Sequence, residues 1–377
     1  MFVKYLKLNN FRNYAAAEIT FEQRKTLLIG KNAQGKTNVL EAIFYLSGLR
    51  SLNGSSDSEF INWEKDFASI KAIIQKDGID VEMEIIFQLG KKKILKVNGL
   101  KKTKNLDFTS QFSVVCFSVS DLLLLRGVPD DRRSWLDGAI SQIYPTYGER
   151  LAKYNKIKTQ KNNYLKSLKN GEKLDEAVLD VWNSQLVAYG ANIIYLRMKY
   201  LSEIQKISSK KHRHISESEE LSLLYETKLG STFSAKNDEV PSIELLSGQF
   251  QQKLTERKNE EIIRGQSLVG PHRDDVIFYI NGIDAKKFAS QGQQRTIVLA
   301  LKLAELEMLE KHFGQSPILL LDDVLAELDD IRQNYLLASI NETTQTIITS
   351  VDTLHFKDEF LNDVEIFKVS ENNIRLL

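Results

Sequence analysis

Residues 30–37 read Gly30-Lys31-Asn32-Ala33-Gln34-Gly35-Lys36-Thr37, an ungapped match to G-x-x-x-x-G-K-[ST]. A pattern this short takes its weight from its surroundings. Ahead of it, Thr26-Leu27-Leu28-Ile29 is a compact apolar run, which predicts a buried strand. Behind it, Val39, Leu40, Ile43, Phe44 and Leu46 recur on one helical face. Strand, glycine loop and helix, in that order, form the setting in which such a loop cradles phosphate. The glycines let successive N–H groups turn inward, and the helix adds its positive end. Lys36 then reaches the β- and γ-phosphates of a nucleotide, and the Thr37 hydroxyl ligates Mg²⁺. The bland alternative is a glycine turn before an ordinary amphipathic helix.

Bulk composition limits the rest. The chain has 377 residues, enough for two or three domains with a large core. Its 51 basic and 50 acidic residues leave a net charge of +1, so any nucleic-acid surface must come from local segregation of charge. Cys116 is the one cysteine, which excludes an internal disulfide framework and a cysteine-rich zinc site and suits a reducing compartment. The opening MFVKYLKLNN lacks the apolar core of a signal peptide, and runs such as 122–125 and 318–321 are too short to cross a bilayer. The expected location is the cytoplasm, with no membrane partner.

Along the chain, residues 2–8 alternate like a half-buried strand, residues 9–14 read as a turn, and a second strand is expected near 19–21. Residues 48–58, rich in Ser, Gly and Asn, read as a loop. Between 67 and 97 the period switches to two, and Lys76-Asp77-Gly78 and Val97-Asn98-Gly99 carry hairpin-turn chemistry, which predicts a β-meander. Residues 112–117 form a further buried strand.

From about Pro129 to Arg264 helical spacing dominates. Within 149–173 lie Arg150, Lys153, Lys156, Lys158, Lys161, Lys166, Lys169 and Lys173, with Tyr144, Tyr147, Tyr154 and Tyr164 interleaved. Basic and aromatic residues in this mixture suit phosphate contact and base stacking, although a solvated helix face explains them equally well. Residues 208–237, with His212, Arg213 and His214, are polar and mixed and read as a surface loop. After 276–281 and an Asn281-Gly282 turn come a long helix at 293–313, a strand at 317–321, a helix at 330–340 and a strand at 344–349. That alternation predicts a parallel α/β layer. The chain therefore divides into 1–128, holding the phosphate loop and meander, a helical insertion at 129–264, and 265–377, which returns to the first layer.

Two further motifs complete the chemistry. Ile318-Leu319-Leu320-Leu321-Asp322-Asp323 is an apolar strand ending in two acids. Asp322 stands where such a strand offers a carboxylate to Mg²⁺, leaving Asp323 to polarise an attacking water. Ser290-Gln291-Gly292-Gln293-Gln294-Arg295 opens the long helix. Ser290 and Gln293 fit a capping box. They also fit a signature motif, in which serine, glycine backbone and helix dipole bind a γ-phosphate held by another subunit.

Three blocks together carry a family resemblance. They are Leu8-Asn9-Asn10-Phe11-Arg12-Asn13-Tyr14 followed by GKNAQGKTNVLEAI; Arg126-Gly127-Val128-Pro129-Asp130-Asp131-Arg132-Arg133 with Trp135-Leu136-Asp137; and Val269-Gly270-Pro271-His272-Arg273-Asp274-Asp275 leading to SQGQQRTIVLALKLAE and LLLDDVLAELD. The sequence resembles the RecF family of bacterial recombination-mediator ATPases, which is related to SMC proteins. The resemblance implies an α/β fold: an ATPase head of the ABC/SMC type with a β-meander lobe and an inserted α-helical domain. It implies ATP on residues 30–37, Mg²⁺ on Thr37 and Asp322, and Asp323 as catalytic acid with Lys36. Ser290, Gly292 and Gln293 would engage the partner's nucleotide, Arg12 and Asn13 would lie near the nucleotide, and Ala326-Glu327-Leu328-Asp329 resembles a D-loop. It further implies weak DNA-stimulated ATPase activity, an ATP-dependent homodimer on single-stranded, gapped or duplex DNA, and RecO and RecR proteins as partners in recombinational repair and replication restart. The roles of Arg132, Arg133, His272 and Arg273 stay open.

There are departures. Residues 348–352 lack the switch histidine of transporter cassettes, with Thr349 or Ser350 as stand-ins, and no glutamine-loop residue is evident after 112–117. Both gaps suit slow turnover. The rival function is an ABC-type ATPase subunit of a transporter or translation factor, which predicts a fuller LSGGQ-like motif and a shorter insertion.

Overall fold

The computed structural model describes every residue except Asn53, His355 and Lys357, together with the side chains of Leu122, Leu123, Asp358 and Glu359. Asn53, part of the loop expected at 48–58, thus lies outside the described residues. The chain forms two compact units, one from Met1–Leu122 with Lys302–Leu377 and the other from Leu123–Leu301. The boundary falls within the helix Gln291–Phe313. Among the described residues no helix is long and apolar enough to cross a membrane.

The first unit holds two six-stranded sheets. One runs, in spatial order, Asn373–Leu376, Val364–Ser370, Lys25–Ile29, Thr346–Ser350, Ile318–Asp322 and Val114–Ser118. Four of its five pairings are parallel, and the outer Asn373–Leu376 strand pairs antiparallel. Leu319, Leu320, Leu321, Ile347 and Ile348 are buried, as both-face coverage demands of a parallel sheet. The helix Lys36–Gly48 follows the Lys25–Ile29 strand and buries Val39, Leu40, Ile43 and Leu46 completely. Each such side chain contributes about 1.5–3 kcal/mol on leaving water. Phe44 is only half-buried, at the edge of that face.

The second sheet of this unit is antiparallel, in the order Tyr14–Thr20, Phe2–Phe11, Phe67–Lys76, Ile79–Gln88, Ile94–Val97 and Leu100–Lys102. The meander is therefore joined to the N-terminal hairpin. Lys76 pairs with Ile79 across Asp77-Gly78, whose φ angles of 51° and 77° belong to the left-handed turn that matches strand twist. The first strand extends to Phe11, further than periodicity indicated, so the turn shrinks to Arg12-Asn13 between the paired Phe11 and Tyr14.

The second unit combines the helices Pro129–Ile143, Pro145–Lys169, Glu176–Ser216 and Ile243–Arg264 with an antiparallel sheet. That sheet runs Thr232–Ser234, Leu221–Glu226, Asp275–Ile280, Ile283–Asp284. Residues 208–237 are accordingly not a surface loop. The helix continues through His212, which is fully buried, and Leu221, Leu223 and Tyr225 alternate inward on the next strand. Base stacking by all four interleaved tyrosines is also ruled out, because Tyr147 and Tyr154 are core residues. Lys161 likewise turns inward, to a buried ion pair with Glu261 at 2.5 Å.

Candidate nucleotide-binding site

The phosphate loop leaves the C-terminal end of the Lys25–Ile29 strand, where open parallel sheets bind their ligands. Gly30 donates its N–H to the Ser350 carbonyl at 3.2 Å. A β-carbon at Gly30 would fall 2.2 Å from the Val369 carbonyl oxygen, so only glycine fits. Ala33 (φ 63°) and Gly35 (φ 104°) are both left-handed, the backbone alternation that turns N–H groups into a nest. The Arg12-Asn13 turn supports the loop from beneath. Asn13 Nδ2 donates to the Gln34 carbonyl (3.3 Å) and to Asn372 Oδ1 (2.5 Å), while Asn13 Oδ1 accepts from Asn38 Nδ2 (2.6 Å). Gln34 Oε1 accepts from the Glu371 N–H at 2.7 Å. Tyr14 lies buried against Gly35, with a hydroxyl that has no hydrogen-bond partner among the described residues, and burial pushes its pKa up.

Lys36 is nearly enclosed. Its ammonium donates to the Gly30 and Lys31 carbonyls at 2.6 and 3.2 Å and forms no ion pair among the described residues. Thr37 Oγ1 donates to Asp322 Oδ1 at 2.9 Å, bringing together the two residues expected to hold Mg²⁺. Thr349 Oγ1 lies 2.9 Å from the same carboxylate oxygen and 3.4 Å from Asp323 Oδ1, and it accepts the Asp323 N–H at 2.8 Å. Having one proton, the Thr349 hydroxyl serves Asp322 as donor and Asp323 as acceptor. Burial raises the Asp322 pKa, opposed by the Thr37 and Thr349 hydroxyls and by the Lys36 charge. Asp323 is left-handed at φ 52°, a sparsely populated conformation for a residue with a side chain, and such strain clusters at working sites.

The neighbouring strand ends alongside. Ser118 pairs in register with Asp322, and its N–H and hydroxyl both donate to Asp121, which is ion-paired with the buried Lys302 at 2.8 Å. This polar cluster occupies the strand end where no glutamine loop was evident. Thr349, one of the two stand-ins for the missing histidine, bridges both acids.

Arg12 is placed differently from its neighbour. Its guanidinium forks onto the buried Glu41 of the loop's helix (3.0 and 3.1 Å), donates to Ser55 Oγ (2.7 Å) and covers the Phe60 ring. Arg12 thus braces the helix, whereas Asn13 braces the loop. In the second unit, Gln293 N–H donates to Ser290 Oγ (3.2 Å) and Ser290 N–H to Gln293 Oε1 (2.7 Å), so the capping box forms. Gln293 Nε2 also reaches Glu219, and the Gly292 carbonyl accepts from Thr296. Asp329 caps the helix Asp330–Ala338 through the Arg332 N–H, and the preceding Leu325–Glu327 turn carries part of the D-loop-like segment.

The set fits a nucleotide and a divalent cation. It offers inward N–H groups, one enclosed cation, one hydroxyl and one carboxylate. Among the described residues no three His, Cys, Asp or Glu side chains gather around a metal position. A cation ligated by Thr37 and Asp322 would need phosphate and water to fill its shell, as Mg²⁺ prefers.

The comparisons follow the same lines. A family model described as the RecF/RecN/SMC N terminal domain matches residues 2–374. Among curated relatives, the DNA replication and repair protein RecF of Oceanobacillus iheyensis is 40% identical over 375 residues, covering 98% of this chain and 99% of that protein. The RecF of Bacillus subtilis is 38% identical over 370 residues, with 98% of each chain covered. Among solved structures, the recombination mediator protein RecF-ATP in the RecFOR pathway superposes with a TM-score of 0.91 at 34% identity, covering 100% of this chain and 97% of that one. An Smc head domain from Pyrococcus furiosus gives a TM-score of 0.53 at 14% identity, with 100% of this chain and 96% of that one covered, a likeness of fold alone.

Proposed function

The chain belongs to the RecF family of DNA replication and repair proteins, and from that premise we propose that it is a DNA clamp closed by ATP. The observation that carries the proposal is the convergence of Lys36, Thr37, Asp322 and Thr349 at the C-terminal end of one parallel sheet. Residues 30–37 hold ATP, with Lys36 against the β- and γ-phosphates, and Thr37 and Asp322 hold Mg²⁺. The cation would neutralise phosphate charge when bound. Asp323, tethered by Thr349, orients water for a slow, DNA-stimulated hydrolysis.

Functionally, residues 1–128 and 265–377 make the ATPase head around the 129–264 insertion, because the signature residues Ser290, Gly292 and Gln293 work with a phosphate loop. That loop belongs to a second copy of the chain. ATP then touches both copies only in the closed dimer, and this difference in binding drives closure on single-stranded, gapped or duplex DNA. Asn13 acts by holding the loop in shape, and Arg12 by bracing the helix that follows it. RecO and RecR proteins as partners, recombinase loading on gapped DNA and a cytoplasmic location complete the reading; the RecF-ATP relative in the RecFOR pathway supports the first.

The direct test is binding of labelled DNA with ATP, without ATP, and with the Lys36→Met variant. Tight binding in the first condition alone is expected. Equal binding in all three would sink the clamp.

A further inference from the structure

Motif residues that the nucleotide site leaves unused gather around a half-open cleft of about 390 Å³ in the second unit. Its framework is rigidly bonded. Gly270 has φ 125°, and any β-carbon there would lie 2.3 Å from the Tyr154 hydroxyl and 2.8 Å from the Phe250 ring. Tyr154 Oη is 2.7 Å from His272 Nδ1, and His272 Nε2 is 3.2 Å from the Ser267 carbonyl. A carbonyl only accepts, so Nε2 carries the imidazole proton and Nδ1 accepts from Tyr154. Asn162 Oδ1 accepts from the Ser267 N–H and hydroxyl at 2.7 and 2.8 Å, leaving its amide nitrogen as a donor.

The charges lining the cavity do not cancel. Arg197 is paired with Asp137 (2.9 and 3.0 Å), and Arg133 with Asp130 (2.6 Å). Lys158 reaches Asn155 Oδ1 at 3.2 Å, and Arg273 reaches the Ser267 carbonyl at 3.1 Å. Neither lies within ion-pair distance of a carboxylate among the described residues. Burial and the neighbouring Arg273 hold the Lys158 pKa down, against the opposing pull of Asp130. His272 is held neutral, its pKa lowered to about 3, chiefly by burial and further by Lys158, Arg273 and Arg133. Arg132, by contrast, is spent structurally, forked onto Asp275 at 2.7 and 2.8 Å. Two cations, Lys158 and Arg273, bonded only to neutral partners in one half-open cleft mark a place where an anion repays the cost of their repulsion.

We propose that this cavity is a second anion site, taking a phosphate monoester whose dianion matches Lys158 and Arg273, with Arg133 and Asn162 donating beside them. A carboxylate brings one charge; a phosphate monoester brings close to two near neutral pH, with three acceptor oxygens for guanidinium and ammonium donors. The cavity lies in the size range of sites for small organic ligands, so the phosphate belongs to a larger group. That group is either the 5′-phosphorylated end of DNA or a free phosphorylated compound.

The experiment uses the full chain carrying Lys36→Met, so that failure of the phosphate loop and failure of this cavity are separable. The probes are inorganic phosphate, ribose 5-phosphate, and one oligonucleotide with either a 5′-phosphate or a 5′-hydroxyl, followed by calorimetry. The expected result is saturable one-site binding of a phosphorylated probe. Adding Lys158→Gln with Arg273→Gln should weaken it about tenfold or more, as loss of charge-assisted bonds predicts. Adding Lys153→Gln with Lys156→Gln, which removes the same charge from exposed positions, should leave it unchanged. Where the first pair melts below the assay temperature, Lys158→Gln alone serves the comparison. Preference for the 5′-phosphorylated oligonucleotide identifies DNA ends as the source; equal oligonucleotide binding with retained affinity for ribose 5-phosphate identifies a free compound. Absence of saturable binding to every probe, or equal loss in the exposed control, overturns the proposal.

Discussion

At the scale of single residues, Thr349 joins the two acids, and its removal should separate binding from chemistry. Thr349→Val takes the acceptor from the Asp323 N–H and one donor from Asp322. Hydrolysis should fall by about tenfold or more, the usual worth of a positioned proton-transfer group, while ATP affinity stays close to that of the parent. Single-turnover rates and equilibrium titration measure the two; equal loss in both would show Thr349 to be merely structural. His272 gives a pH signature. Its ordinary pKa of 6.5 falls to about 3 in the folded chain, so below pH 6.5 the unfolded chain takes up a proton that the native chain refuses. Stability is therefore lost as pH falls, by about 1 kcal/mol between pH 7.5 and 5.5. Asp274, held up at about 6 by burial, works oppositely, gaining stability as pH falls through 6. The His272 contribution is thus read as the difference between the parent and His272→Asn, whose melting temperature should fall less on acidification. Parallel melting curves would contradict it.

At the scale of elements, the sequence was readable where a short stretch settles its own structure. The phosphate loop with its strand and helix, and the Asp77-Gly78 hairpin, needed no distant partner to be legible. Leu221–Glu226 was hidden by polar flanks, although Leu221, Leu223 and Tyr225 carry the alternation that betrays a strand, and its pairing partner Asp275–Ile280 lies about fifty residues on. The inward turn of Tyr147, Tyr154 and Lys161 depends on which helix packs where, something that the spacing of charges along one helix does not encode. The bridge from Thr349 to both acids depends on two strands becoming neighbours, so the sequence offered only Thr349 or Ser350 in its place. The helix Gln291–Phe313 carries both readings of Ser290, and one substitution separates them. Ser290→Asp keeps an N-cap acceptor and should leave the melting temperature nearly unchanged, whereas Ser290→Ala should cost about 1 kcal/mol. If Ser290 also meets a γ-phosphate, Ser290→Asp sets a carboxylate against it and abolishes ATP-dependent association. Association equal to that of the parent would leave the capping box as the whole function of Ser290.

At the scale of the whole molecule, the proposed clamp needs a composite site. Lys36, Thr37, Asp322 and Asp323 lie in one compact unit, and Ser290 to Gln293 in the other, at the start of the helix that crosses the unit boundary. In the proposed clamp, a second copy brings its signature to the first copy's nucleotide, which would make association and ATP binding one event. Asp323→Asn removes the group proposed to orient water and leaves Lys36, Thr37 and Asp322 in place, so it should hold the ATP-bound state. Sedimentation velocity of that variant at saturating Mg-ATP is therefore the most direct measurement. A dimer that forms with ATP, and reverts to monomer without nucleotide or when Lys36→Met is added, is the predicted result. A monomer under every condition would contradict the account.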